Sequence, residues 1–305
     1  MTDSEHHGLY CAEYSAQAQE QLFGTAPRAR VWLLLEYASQ WAPQAFEDST
    51  LPPPVKNVLA AATRSIPRSR VQMIRHHVRP GTDFAFYMAI SQPSNPCLFA
   101  FRLKAYADLL RLDLPAMAAC DARYDRHRTG QPLFLVCTHG ARDQCCARLG
   151  IPVYNALARQ PELDVWQTSH VGGHRFGANV VCLPVGLYYG RVAPGDVEEL
   201  VADYFGRRIT LDKYRGRSIH EAPAQAGEHF VRAQTGIADI DGLTVSEVQD
   251  QGGDRWRVAC RTSDGMAHVV EFVREAGAVQ TYTNCKDAQP SAQGQYRLIS
   301  YSGAR

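Results

Sequence analysis

Four side chains in one stretch of the chain have the types and spacing to share an inorganic centre. Cys137 and Cys146 are separated by eight residues, and after 23 more come His170 and His174, with three between them. Soft thiolate sulfur and borderline imidazole nitrogen together suit zinc or an iron–sulfur cluster. Each histidine alone would read as a hydrogen-bonded surface or core side chain. The joint arrangement argues for more, because glycines flank the histidines and a strand end precedes each pair. A set of two cysteines and two histidines serves structural zinc as well, and His-x3-His lies within zinc-finger spacing. The eight residues between the cysteines exceed the two to four usual in a finger. Cys137-Thr138-His139 resembles half of a Rieske pair, but no matching Cys-x-x-His follows, so His139 reads as a supporting or solvent residue rather than a ligand.

The elements around these residues must bring them together. Leu133–Val136 is an apolar run, so Cys137 sits where a buried strand stops. Gly140 lets the chain turn. Cys145 and Cys146 open a helical pattern carrying Leu149, Val153 and Leu157 on one face. Pro152 is tolerated only near a first turn, which places the helix start close to Gly150. Cys146 then lies near a helix N-terminus, where free N–H groups favour a thiolate. Leu163–Thr168 reads as the next strand and delivers His170 to a loop bent at Gly172 and Gly173. Strands Asn179–Leu183 and Leu187–Val192 and a helix Asp196–Phe205 follow. This order, strand–helix–strand–ligand loop–strand–strand–helix, is that of a thioredoxin-like domain.

Together, the Cys-x8-Cys pair and His170-Val171-Gly172-Gly173-His174 resemble the sucrase/ferredoxin-like family, closely over Pro132–Arg215 and more weakly over the whole chain. Thioredoxin-like [2Fe–2S] ferredoxins carry a Cys-x3-Cys pair where this chain has its histidines. The resemblance implies Cys137, Cys146, His170 and His174 as ligands of a [2Fe–2S] cluster, with Cys145 in excess. It also implies an electron-transfer or redox-sensing role, an electron carrier rather than a stand-alone enzyme. Zinc in the same site, or thiol–disulfide chemistry at Cys146 with Cys145 or Cys137 resolving it, is the alternative. No carboxylate pair supports sugar cleavage. Two neutral imidazoles in place of thiolates predict a potential above that of all-cysteine ferredoxins, as in Rieske centres (about −150 to +300 mV against about −400 mV), and falling with pH. Arg142, Arg175 and Asn179 are candidate hydrogen-bond donors around the centre, and Arg142 could equally pair with Asp143.

Composition narrows the alternatives. With 305 residues, 45% hydrophobic and 21% charged, the chain has the make-up of an ordinary globular protein of two or three domains. A net charge of +1 offers no case for nucleic acid. No apolar stretch approaches the roughly 18–20 residues that span a bilayer, and no basic-then-apolar leader opens the chain. Nine cysteines, an odd number with several inside apolar runs, argue against a secreted disulfide framework and for a reducing cytoplasm. With no dinucleotide fingerprint or P-loop, the electron donor or acceptor must be an external reductase or acceptor protein.

The expected fold class is α/β (α+β). Residues 1–24 read as an N-terminal tail, with a short helix at Ala16–Leu22. Residues 25–125 repeat the element order without the ligands: strand Val31–Leu35, a helix through Val55–Ala62, strands at 71–74, 84–89 and 98–103, and a helix at 105–110. This predicts a thioredoxin-like pseudo-repeat in which Tyr37 or Ala38 stands where Cys137 would be. His76-His77 and Arg79 fall where the histidine ligands would be, and adjacent strand residues point to opposite faces. Residues 126–215 form the ferredoxin-like domain. Tyr214–Ser218 reads as a basic turn. Residues 216–305 read as a small α+β appendage: a helix at 224–234, a hairpin at Ser263-Asp264-Gly265, and a third strand at 278–283. Cys260 and Cys285 read as core residues.

Overall fold

Alternation along two strands sets the architecture. In β1 (Val31–Glu36), Val31, Leu33 and Leu35 bury against one layer while Trp32 and Leu34 bury against another. In β5 (Leu133–Cys137), Phe134 and Val136 face outward to their own helices, and Leu133, Leu135 and Cys137 face inward. The computed structural model describes residues 10–76 and 81–304. In chain order it runs α1 (Cys11–Gln17), β1, α2 (Pro53–Ser65), β2 (Ser69–Arg75), β3 (Phe84–Ile90), β4 (Cys97–Leu103) and α3 (Leu114–Ala118). Then come β5, α4 (Gln144–Leu157), β6 (Asp164–Thr168), β7 (Val180–Leu183), β8 (Leu187–Tyr189), α5 (Val197–Phe205) and β9 (Tyr214–Arg217). The last elements are α6 (Ala222–Thr235), β10 (Leu243–Gly252), β11 (Arg255–Thr262), β12 (Ala267–Thr281) and β13 (Ser291–Ala304).

The first nine strands form one sheet in the order β4-β3-β1-β2-β6-β5-β7-β8-β9. Within it, β1 runs parallel to β2 and antiparallel to β3, which pairs with β4; β5, β6, β7 and β8 repeat the same relations. Each half therefore has the order 4-3-1-2 with its third strand antiparallel to the rest, which is the thioredoxin arrangement. The halves join antiparallel through a short contact, Ile74 with Thr168 and Arg75 with Gln167. Helices α2 and α3 cover the outer face of the first half, and α4 and α5 that of the second. The inner faces share one core containing Trp32, Leu135, Trp166, Val181 and Tyr188, and Cys137 and Cys146 belong to it. Truncating any of the large side chains there to Ala would cost about 2–5 kcal/mol.

Several expectations shift. Helix α4 starts at Gln144, capped by the Asp143 carboxylate on Cys145 N–H (2.9 Å), and not near Gly150; Pro152 lies inside it. The cap fixes where the helix starts, and the buried face of Val153, Tyr154 and Leu157 holds it together through Pro152 despite the lost hydrogen bond. Residues 10–24 are no free tail: α1 covers 11–17 rather than 16–22, with Cys11, Ala12 and Ser15 buried. By strand register, the counterpart of Cys137 is Glu36, since Cys137 pairs with Thr168 as Glu36 pairs with Ile74. The basic stretch at 214–218 is strand β9, because Arg215 and Arg217 are buried and hydrogen-bonded rather than solvated. The C-terminal unit is a four-stranded meander under α6, not three-stranded, and the stretch at 278–283 continues β12.

Candidate metal centre

Strand β5 ends at Cys137, and α4 carries Cys146 in its first turn. Gly150, one turn further on, is what lets α4 approach the strand end. A β-carbon there would lie 2.1 Å from the Cys137 carbonyl oxygen. His170 follows β6, and His174 opens a short 3-10 turn after Gly172 (φ 103°) and Gly173 (φ 71°). At both glycines the positive-φ backbone would strain any side chain. An added β-carbon would also strike Pro27 at Gly172 or Arg215 at Gly173.

Three of the four sequence-predicted ligands come together, and His174 stands beside them, outside that set. The donor atoms of Cys137, Cys146 and His170 all lie within 4.8 Å of one another. Cys146 Sγ is 3.7 Å from His170 Nδ1, and the rings of His170 and His174 are 4.9 Å apart, centroid to centroid. His174 Nδ1 is buried and has no hydrogen-bond partner, an orphaned donor atom of the kind a ligand satisfies. Both cysteines are buried, while the histidines form the half-buried edge. The Cys146 thiol hydrogen-bonds to Cys137 and, with His170, holds the Cys137 thiol well below its usual range; Cys146 is correspondingly held up by Cys137 and by burial. The pair is thus disposed to share one proton and one negative charge, and a cationic centre would release the proton. Burial pushes His174 down toward the neutral imidazole that a metal takes.

The first half of the sheet and strand β9 hold the ligand loop. Arg70 of β2 donates to the carbonyls of His170 and Val171, both at 3.2 Å, and Ser169 N–H donates to Met73 O at 2.8 Å. Asn179 donates to Gly173 O at 2.9 Å and accepts from Arg215 at 2.6 Å, and Arg215 reaches Gly172 O at 3.0 Å. His139 is buried with both ring nitrogens engaged: Nδ1 accepts from His170 N–H (3.1 Å) and Nε2 donates to Ala42 O (2.8 Å). It positions the ligand-bearing backbone and is not free to ligate. Of the expected donors, only Asn179 supports the loop. Arg175 turns to Glu20 (2.9 Å), and Arg142 is exposed while Asp143 points inward. Sequence reasoning missed Arg70 and Arg215, which lie far from the ligands along the chain.

His76 packs tilted against Trp166 with centroids 3.7 Å apart; His77 and Arg79 lie outside the described residues. Cys145, set aside as surplus, and Cys285, expected as core, are buried beside Cys11 and Asp143. The unexplained vicinal cysteine was the signal that could have pointed there.

A family model described as sucrase/ferredoxin-like matches residues 22–216. The chain is 35% identical over 95 residues to "Altered inheritance of mitochondria protein 32" of Meyerozyma guilliermondii, covering 28% of this chain and 34% of that protein. It is 29% identical over 96 residues to the protein of that name in Saccharomyces cerevisiae, covering 27% and 31%. The chain therefore spans about a third of the length of the curated relatives it matches. Among solved structures, a thioredoxin-like [2Fe–2S] ferredoxin from Aquifex aeolicus is similar over 29% of this chain and 94% of its own, at 22% identity and a TM-score of 0.26. A variant of the Aquifex ferredoxin with one cysteine replaced by serine covers 24% and 86%, at 26% identity and a TM-score of 0.21. No helix among the described residues is long and apolar enough to cross a membrane.

Proposed function

We propose, from the premise that the chain belongs to the sucrase/ferredoxin-like family, that it is an electron-transfer or redox-sensing protein whose [2Fe–2S] cluster is held by Cys137, Cys146, His170 and His174. The observation that carries this reading is the convergence of the first three donor atoms within 4.8 Å, with the His174 ring beside His170. The donor set, two sulfurs and two nitrogens with one nitrogen orphaned, fits the group. When bound, the cluster would supply one-electron redox chemistry. The chain's own part is to bury the two cysteines, which excludes water, and to leave the imidazoles at the edge where an electron can pass.

The edge also suggests where an external redox partner docks. His170 lines a cleft of about 530 Å³ together with Arg64, Arg70 and Arg142. Three guanidinium groups around a redox edge favour an acidic partner, with association that weakens as salt rises.

Zinc is the second reading, because a 3.7 Å separation of Cys146 Sγ and His170 Nδ1 also suits a single ion. Metal and sulfide analysis of purified protein separates the two. A coloured protein with iron and acid-labile sulfide in equal amounts supports the cluster. A colourless protein whose zinc depends on Cys137 and Cys146 replaces it.

A further inference from the structure

The strongest unassigned feature is a second knot of sulfur built from three distant parts of the chain. Cys11 opens α1, Cys145 lies in the first turn of α4, and Cys285 sits in the loop between β12 and β13. Their sulfurs form a nearly equilateral triangle: 3.4 Å from Cys11 to Cys145, 3.3 Å from Cys145 to Cys285, and 3.5 Å from Cys285 to Cys11. Asp143 completes the group, with Oδ1 3.2 Å from Cys285 Sγ and 3.8 Å from Cys11 Sγ. All four residues are buried.

We propose that Cys11, Cys145, Cys285 and Asp143 form a structural Zn(II) site, separate from the Cys137–Cys146–His170–His174 centre. Tetrahedral Zn–S bonds of about 2.3 Å set sulfurs about 3.8 Å apart, so the three need part by only a few tenths of an ångström. A [4Fe–4S] cluster fits less well: its sulfurs must stand outside a whole cube of iron and sulfide, and the fourth donor here is the Asp143 carboxylate rather than a cysteine. A disulfide accounts for the geometry less well: it would use two sulfurs of three nearly equivalent ones, strand the third and require an oxidant. Three thiolates with one carboxylate select a borderline-soft tetrahedral ion such as zinc.

The surroundings supply fixed backbone donors and a fixed carboxylate. Backbone N–H groups of Cys11 and Ala12 point to the sulfurs of Cys285 and Cys145. Asp143 is fixed from two sides, accepting from Cys145 N–H at 2.9 Å and Cys285 N–H at 2.8 Å. The Cys285 loop is itself fixed, because Asp287 accepts from Thr283 N–H (2.9 Å), Thr283 Oγ1 (2.7 Å) and Asn284 N–H (3.0 Å). Tyr10, Leu149 and Tyr282 pack around the knot and keep it dry. Without a cation, three thiolates and a carboxylate could not coexist there. Binding releases thiol protons and ties α1 and the C-terminal hairpin to the start of α4. Asp143 Oδ2 lies 3.8 Å from His174 Nε2, so the same carboxylate stands between the two centres.

The test is metal analysis of the full chain, purified without chelators, for wild type, Cys11→Ser, Cys285→Ser and Cys137→Ser. About one zinc per chain is expected in wild type. At least a tenfold loss of zinc is expected in C11S and C285S with iron and sulfide retained, and the reverse in C137S. Should the serine variants fail to fold, ¹¹³Cd NMR of exchanged wild-type protein reads the ligands directly, and a shift characteristic of three sulfurs and one oxygen is expected. Zinc lost in C137S but kept in C285S would overturn the site. So would wild-type protein that takes up no zinc or cadmium while all three thiols are free, or a disulfide between any two of them. Iron and sulfide are assayed separately, so failure here leaves the cluster reading standing, and failure of the cluster reading leaves this one standing.

Discussion

The two halves of the nine-stranded sheet share strand order and direction, yet among the described residues only the second converges on metal-binding donors. At the end of the first strand, one half has Cys137 and the other Glu36. Glu36 is buried and its carboxylate accepts from Ala85 N–H at 2.8 Å, so the position serves the backbone. Cys137 leaves its sulfur toward the shared core, where Cys146 and His170 meet it. The connections differ too. The second half turns from strand to helix within six residues, 138–143, ending at the Asp143 cap. In the first half, the connection runs from 37 to 52 and lies over its neighbour, with Trp41 edge-on to His139 at 5.6 Å and Ala42 accepting from it. The second half also gains β9, whose Arg215 secures the ligand loop. One half holds donors and the other holds the half that has them.

That contrast can be broken most sharply at the strand ends. Cys137→Ser or Cys146→Ser should abolish at least nine-tenths of cluster absorbance and iron. Glu36→Gln, whose amide oxygen can still accept from Ala85 N–H, should leave iron unchanged and cost only about 1 kcal/mol in denaturant unfolding, the difference between a charged and a neutral acceptor. Iron lost equally in all three would erase the distinction.

Next in size is the anchor of β9. Arg217 and Arg232 flank Glu228, both at 3.1 Å or less, in a fully buried triad. Burial alone would raise the Glu228 pKa; the two arginines instead lower it from 4.5 to about 2. A depressed carboxylate stabilises the fold above its unfolded value, and that contribution is lost as pH falls from about 4.5 through 2. Glu228→Gln should cost roughly 3–5 kcal/mol at neutral pH by leaving buried guanidinium charge uncompensated. It should also flatten the acid limb of thermal stability between those pH values.

Gly150→Ala is smaller. Its methyl meets the Cys137 carbonyl, so overpacking of about 1–3 kcal/mol is expected, with cluster occupancy falling severalfold. An unchanged occupancy would mean that α4 and β5 do not set the Cys137–Cys146 approach. Smallest is the pH response of the potential. If the outer imidazole nitrogens lose protons on oxidation, it should fall in alkaline solution by about 59 mV per pH unit for each proton lost. Protein-film voltammetry flat across that range would count against histidine ligands.

Much of this was legible in local sequence. Apolar runs marked β1, β3, β5, β7 and β8, which are buried on both faces, and the helical periodicity of Val55, Leu59 and Ala62 marked α2. The four candidate ligands could be read because spacing within one supersecondary unit reports proximity. Strands β10 and β13 could not be read, because most of β10 is solvent-exposed and both carry runs of polar residues without an alternating apolar face. Nor could β9, since buried arginines look like a solvated turn until Glu228 and Asn179 are seen beside them. The knot of Cys11, Cys145 and Cys285 is beyond local reading altogether: its members are up to 274 positions apart.

The central claim is that two imidazoles ligate the same centre as Cys137 and Cys146. Pulsed EPR of the reduced protein tests this most directly. Two strongly coupled histidine nitrogens are predicted, one lost in His170→Cys and the other in His174→Cys. A reduced cluster with no nitrogen coupling, or a protein with no reducible iron at all, would contradict it.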